Sequence, residues 1–496
     1  MSRLTRSSMF AAAASLVVAG CTTVGTDYEA PAPVLPESHA VDLSGLSTAQ
    51  PAMDGPVDLV AWWRAFDDPL LAGLVERAID GNLDLDAAFA RIAEAEAVLG
   101  VERAATGPRA DLSGAYTRSG ISENTQFGLF PGQDRESNDY TAGLGASWEL
   151  DLWGRNQRLI EAASADYEMR LEDLAAVRVS LVAQVADAYL RLRELQRREA
   201  IAAVNITALE RSHETASVRY DAGLVEELDV LRARTELENA RALVPGIQRM
   251  AAAAVTELEL LSGLEPGSLG EALGPASDRP SIPMPTGRIG DEVPADLLRR
   301  RPDLRSAERL LAAQTARVGI AEGELYPRLS LSGTLGLQAA DPGDLLKATS
   351  ITHTLGPAIS VPLFSGGGLR ANIAAADARV DQALVAYEAT LLGALHEVDS
   401  AARGIVFEGA RLAALDEAQA SAELSLERST TLYREGLAAI DAVLDARRAL
   451  YAIEDARAQA RSASARAHVD LYRALGGGWP GGEGAAEGPA DEASGG

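Results

Sequence analysis

A segment of this chain is written twice. "YDAGLVEELDVLRARTEL" (220–237) registers without a gap on "YREGLAAIDAVLDARRAL" (433–450) when 213 is added, placing Tyr220 on Tyr433, Gly223 on Gly436, Leu224 on Leu437, Leu231 on Leu444, Arg234 on Arg447 and Leu237 on Leu450. Upstream, "NLDLDAA" (82–88) faces "RPDLRSA" (301–307) and "GPRADLSG" (107–114) faces "YPRLSLSG" (326–333), both at an offset of 219, while "ASWELDLWG" (146–154) faces "PAISVPLFS" (357–365) at 211. Changing offsets are what one duplication followed by length drift leaves behind, with roughly eight extra residues in an exposed loop of the first copy. The chain is therefore expected to fold as two copies of one supersecondary unit.

Within each copy the hydrophobic period changes from two to seven. Tyr140, Ala142, Leu144, Ala146, Trp148, Leu150 and Leu152 alternate with Thr141, Gly143, Gly145, Ser147, Glu149 and Asp151, the pattern of a strand with one apolar face. Leu329, Leu331, Leu335 and Leu337 repeat it, as do Leu355, Ile359, Val361 and Leu363, and residues 110–118 do so more weakly. Strand pairs are expected over about 109–152 and 326–364. Each strand has the length that crosses a bilayer when tilted, with Trp153 and Phe364 at strand ends where interfacial aromatics belong. The edge of a soluble sandwich would alternate in the same way, so the count has to separate the two. Four strands cannot close: an open edge in lipid leaves backbone groups unpaired at several kcal/mol each, and membrane barrels begin at about eight strands. Membrane-embedded strands would need a barrel shared between chains, and three chains would supply twelve.

After each strand pair comes a proline-free run, about 156–222 and 369–434. Roughly sixty-five residues at ~1.5 Å rise make a rod of roughly 100 Å. Leu174, Leu181, Ala188, Leu195 and Ala202 keep one sevenfold register in the first; Leu384, Leu391, Val398, Ile405, Leu412, Leu426 and Tyr433 keep one in the second, interrupted at Gln419. Such seams, flanked by alanine, predict coiled-coil packing. Each rod ends at the repeated turn, where Gly223 and Gly436 supply the left-handed residue that helix ends commonly need. A second helix then returns, over about 226–262 and 438–475. Shorter helices before the strands, about 67–105 and 292–323, complete repeat 1 (61–263) and repeat 2 (292–475), joined by the Pro-rich linker 264–291. The fold class expected is mainly α with membrane β: four strands per protomer in a trimeric twelve-stranded barrel, continued by a long helical coiled-coil barrel. An aromatic content of only 5% beside abundant Ala, Leu, Glu and Arg suits long packed helices.

The first twenty residues read as a signal: Arg3 and Arg6, an apolar run from Met9 to Ala19 too short to span a membrane, then small residues before Cys21. "VAGC" resembles a bacterial lipobox, which would make Cys21 the lipidated first residue of the mature protein. Cys21 is the only cysteine in the chain, so no internal disulfide competes for it; Thr22, rather than Asp, follows, as in lipoproteins sorted to the outer membrane. An extended segment over 21–60 and a disordered tail over 476–496 flank the repeats.

The stretches "WWRAFDDPLL" (62–71), "ASWELDLWGR" (146–155), "VPADLLRRRPDLRSAERLLAA" (293–313), "YPRLSLSG" (326–333), "VPLFSGGGLRA" (361–371) and "LYRALGGGW" (471–479) resemble the TolC and OprM family of trimeric outer-membrane efflux channels, in its NodT-type lipoprotein branch. The resemblance implies a passive exit duct for small molecules, lipid-anchored in the bacterial outer membrane with its helical tube in the periplasm. Its partners would be two further copies of itself, a periplasmic adaptor, an inner-membrane RND pump and outer-membrane lipid. It also places a periplasmic gate at the second repeated turn: Asp445 falls where relatives carry a ring aspartate, Asp441 where they more often carry an apolar gate residue, and Tyr433 and Asp229 where a tyrosine and its acidic partner hold the closed tube. Asp441 and Asp445, four apart, share a helix face, and a trimer would stack six carboxylates in a narrow mouth, a filter favouring cations. Asp441 equally suits the first turn of a helix, where the dipole favours a carboxylate, and Tyr433 equally suits a core position on the seam. Where some relatives add an arginine two residues after the turn glycine, this chain has Ala438, which implies a closed state held by fewer contacts. Gly223, Leu224, Gly436 and Leu437 mark the turns on which an adaptor would dock.

Other classes find little support. A net charge of −27 disfavours nucleic acid, and the acidity either solvates a surface or lines a passage. The five histidines are isolated, with no HExxH, paired-cysteine or phosphate-loop motif, so neither an enzyme nor a cofactor or metal site is expected; "SGGGLR" (365–370) reads as a sharp turn. Two alternatives remain: an exit duct for type I protein secretion, and a non-channel coiled-coil envelope lipoprotein, which would lack the alternating strands.

Overall fold

Four strands, β1 (Arg109–Gly120), β2 (Glu136–Leu150), β3 (Arg328–Ala339) and β4 (Ile351–Ser360), form one antiparallel sheet in sequence order. The computed structural model describes residues 23–31, 58–122, 124, 135–274, 281–286 and 300–480. Cys21, most of the 21–60 segment, linker residues 275–280 and 287–291, the start of the 292–323 helix and the last sixteen residues lie outside them.

Cross-strand register explains the alternation. Leu112, Leu144, Leu335 and His353 form one row; Trp148, Leu331 and Pro357 another; Leu150, Leu329 and Ile359 a third. Opposed residues share a face and successive ones alternate, so one face is apolar almost throughout. The other carries Asp111, Ser113, Thr141, Ser147, Glu149, Ser330, Ser332, Thr334 and Thr354, with the last two hydroxyls 2.7 Å apart. Among the described residues Leu112, Leu355 and Ile359 of the apolar face are all exposed. β1 and β4 each pair on one side only.

Among the described residues seven α-helices accompany the sheet: α1 (Pro69–Gly81), α2 (Leu83–Ala105), α3 (Arg155–Asp221), α4 (Glu227–Leu261), α5 (Pro302–Gly323), α6 (Gly368–Arg434) and α7 (Ile440–Ala474). Both α3 and α6 have 67 residues and both α4 and α7 have 35. The order helix, strand pair, long helix, returning helix thus occurs twice. Along α3 the seam residues Leu174, Leu181, Ala188, Leu195 and Ala202 are all buried, as are Val398, Ile405 and Tyr433 of α6. Pro245 sits inside α4 on its exposed side, and the helix continues through it. No helix among the described residues is long and apolar enough to cross a membrane.

The chain divides into two units, residues 1–32, 91–170 and 306–387, and residues 33–90, 171–305 and 388–496. The first holds the sheet. Here the buried Arg158 grips the segment after Thr23: its Nε donates to the Val24 carbonyl at 2.9 Å, Nη2 to the Gly25 carbonyl at 3.2 Å and Asp27 at 2.7 Å, and Nη1 to Glu161 at 2.7 Å. Gly25, at φ 83, packs on Gly319, where an added Cβ would lie 2.6 Å from that residue's Cα. Trp153 is not simply an interfacial aromatic. Its indole N–H donates to the Pro327 carbonyl at 2.8 Å and its ring lies 5.2 Å from that of Tyr326, bracing the ends of two strand segments. Phe364, by contrast, is exposed.

In the second unit a 3-10 turn, Leu59–Phe66, buries Trp62, Trp63 and Phe66, and Trp62 stacks on Tyr472 at 5.2 Å. Three sequence expectations change here. The helical region 67–105 is split at Asn82, whose Oδ1 accepts from the Asp84 and Leu85 amides at 3.0 and 3.1 Å and so starts α2 afresh. The tail expected to be disordered from 476 is packed as far as Trp479, because Gly477 and Gly478 let the backbone pass against Trp62 and the Gly478 amide donate to the Leu59 carbonyl at 2.8 Å. Finally, the linker begins as compact turns: Leu269 and Leu273 are buried, and the buried Glu259 carboxylate accepts from the Leu269 amide at 2.9 Å.

Candidate gate at the paired helical turns

Both repeated turns end their long helices in the same way. Gly223 (φ 71) donates its amide to Tyr220 and Leu224 to Arg219, at 2.8 and 2.9 Å; Gly436 (φ 76) donates to Tyr433 and Leu437 to Leu432, at 3.1 and 2.8 Å. These paired bonds satisfy the last carbonyls of α3 and α6, and their left-handed residue is glycine because a Cβ there is strained. Leu224 and Leu437 are left exposed just beyond the glycines, two similar apolar tips per chain.

Behind the turns, α3, α4, α6 and α7 share one apolar cluster: Leu209 and Ala216; Ala233, Leu237 and Ala240; Tyr433; and Ile440, Val443 and Leu444. Tyr433 is 6% exposed, and its hydroxyl has no hydrogen-bond partner among the described residues. Burial raises the pKa of the phenol, Arg219 opposes the rise, and Asp229 adds to it. Asp229 is thus close enough to act on Tyr433 electrostatically, yet no hydrogen bond joins the two within the chain. The cross-hairpin bond is made by Arg219 instead. Its guanidinium lies 4.7 Å from the centre of the Tyr433 ring, and its Nη1 donates to the Tyr433 carbonyl at 2.7 Å. A cation at the carbonyl end of α6 also meets the negative end of the helix dipole.

Asp441 and Asp445 both occupy the first turns of α7, and each is held by an arginine. Asp441 Oδ2 accepts from Arg232 of α4 at 2.5 Å. Asp445 Oδ1 accepts from Arg448 at 2.9 Å, and Arg448 reaches on to Glu236 of α4 at 2.6 Å. All are partly exposed, so each pair contributes no more than about 0.2–1 kcal/mol. With Glu236 counted beside the two aspartates, the two arginines leave the cluster one net negative charge. Within the chain Arg219, Arg232 and Arg448 all bridge the two hairpins, none of them from the Ala438 position. Sequence reasoning missed them, although the 213 register carried a sign. It sets Arg232 on Asp445 and Arg219 on Leu432, so the copies differ in charge where they touch.

Turn geometry, ion pairs and the one-sided apolar sheet define a membrane protein with a bonded helical end rather than a catalytic pocket. The sequence pattern of the outer membrane efflux protein family matches residues 74–264 and 293–477, and the chain belongs to that family. It is 30% identical over 465 residues to nodulation protein T of Rhizobium leguminosarum bv. trifolii, covering 94% of this chain and 96% of that one. It is likewise 30% identical over 470 residues to the pyoverdine export outer membrane protein OpmQ of Pseudomonas aeruginosa, covering 93% and 96%. The solved structure of the outer-membrane channel OprN is 36% identical, with a TM-score of 0.84 over 92% of this chain and 100% of that one. This is an outer-membrane efflux protein and not an enzyme.

Proposed function

We propose that three copies close one twelve-stranded barrel in the outer membrane and that their helices continue it as a periplasmic tube, forming the passive exit duct of a tripartite efflux system. The observation that carries this reading is the sheet: an apolar face with Leu112, Leu144, Leu335, Leu355 and Ile359 exposed, and two unpaired edges, which only neighbouring strands can satisfy in lipid. The two halves, each with its 67- and 35-residue helices, are read as products of one duplication, so that three chains build a nearly sixfold mouth. A periplasmic adaptor docks at the tips marked by Gly223, Leu224, Gly436 and Leu437, and an RND pump supplies the energy and the small molecules. A relative named for pyoverdine export supports small-molecule cargo.

In this reading the region of Tyr433, Asp229, Asp441 and Asp445 is the periplasmic gate, closed by the arginine bridges. In planar bilayers the purified protein is expected to conduct rarely and to prefer cations. The double substitution Asp441→Ala, Asp445→Ala should weaken that preference by about twofold or more while leaving trimers intact. An unchanged selectivity would return both aspartates to a purely structural role, and a protein that never conducts would refute the duct itself.

Cys21 is read as the lipid attachment site. Palmitate labelling in cells should mark the wild type and be lost in Cys21→Ser; label retained in the variant would refute the assignment.

A further inference from the structure

A cavity of about 210 Å³ in the second unit is lined by Arg197 of α3, Ile282 of the linker, Gln419 of α6 and Glu454, Arg457 and Arg461 of α7, among others. The chain has 72 acidic against 45 basic residues, so three guanidiniums facing one carboxylate run against its general balance. The arginines are not equally occupied. Arg457 is paired with Asp416. Arg461 donates through Nε to the Ile282 carbonyl at 3.1 Å, which leaves its two terminal nitrogens without a carboxylate among the described residues. Arg197 makes no hydrogen bond or ion pair among the described residues. The Gln419 amide is turned to Glu423, at 2.9 Å.

The local field reflects this crowding. The Arg461 guanidinium is pushed below its usual range by burial first and then by Arg457 and Arg197, with Asp416 opposing. Burial raises Glu454, against the pull of Arg197. Like charges held together out of water are costly unless an anion joins them.

We propose that this recess binds a small anion bearing phosphate or carboxylate oxygens, held by the free N–H forks of Arg197 and Arg461 and seated beside Arg457. Guanidinium forks match the planar or tetrahedral oxygens of such groups and bond them in pairs. At about 30 Å³ per water, the space holds roughly seven waters, ample for a phosphate or a small carboxylic acid. A bound anion would tie α3 to α7 and, through Arg461 and Ile282, to the linker joining the two halves. This inference does not depend on the channel reading.

The test is calorimetric titration of the full-length, detergent-purified protein with inorganic phosphate and with citrate, each against chloride at equal ionic strength. Saturable binding by either anion, one per chain, supports the site and shows which oxygen chemistry it prefers. Arg197→Gln and Arg461→Gln should each weaken that binding by about tenfold, whereas Glu454→Gln should tighten it. These opposite directions separate a binding site from a general loss of structure. The proposal is overturned if neither anion is distinguishable from chloride, or if all three variants shift affinity in the same direction.

Discussion

Arg219→Met is expected to hold the helical mouth open. The arginine makes the 2.7 Å bond to the Tyr433 carbonyl and covers the Tyr433 ring at 4.7 Å; methionine keeps much of its stem and loses both interactions. A hydrogen bond from a charged donor contributes about 1.5–3 kcal/mol, and a part-exposed cation over a ring about 0.5–1 kcal/mol. Discounting for the half-exposed setting, a loss of ~1.5 kcal/mol per chain shifts a closed-to-open balance by about tenfold, or by about a thousandfold if three chains must release together. Single-channel recording reads this as open probability. Arg219→Lys, which keeps the charge but not the fork, should fall between wild type and Arg219→Met. Closed dwell times unchanged in Arg219→Met would mean that the bridge plays no part in closure.

The second large effect concerns the sheet. Leu335 lies in the apolar row with Leu112 and Leu144, and its neighbour Thr334 points to the opposite face beside Thr354. If the apolar face meets lipid, Leu335→Arg places a charge in hydrocarbon at about 2–4 kcal/mol per chain near the midplane, three times over in a trimer. Thr334→Arg, one residue away, should cost little because it faces water. Heat resistance of the purified trimer on gels should therefore drop sharply for the first and barely for the second. Equal effects would place neither face in the bilayer.

The period-two rows were legible because side chains alternate strictly across a sheet, and cross-strand partners such as Leu144 and Leu335 repeat the same chemistry. The long helices were legible because two runs lack proline and keep a sevenfold seam. Proline alone would have misled at Pro245, where a helix tolerates the residue on its exposed side. What the sequence hid was contact at a distance. Arg219 looks like any surface arginine until Tyr433, on another helix, is brought beneath it, and Arg232 and Arg448 gain meaning only when α4 lies beside α7. The glycines after Leu475 looked like low complexity, and only Trp62 shows why that segment must lack side chains.

The Arg158 rivet has a consequence for anything attached upstream. Val24 is held at its carbonyl by a guanidinium buried in the fold. Val24 is three residue steps from Cys21, with only Thr22 and Thr23 between them, and a chain of that length reaches at most about 10 Å. If Cys21 is acylated as proposed, its acyl chains start within that reach of Val24. If Cys21 carries lipid, so short a leash would make that lipid less a tether than a depth gauge for the protein in its membrane.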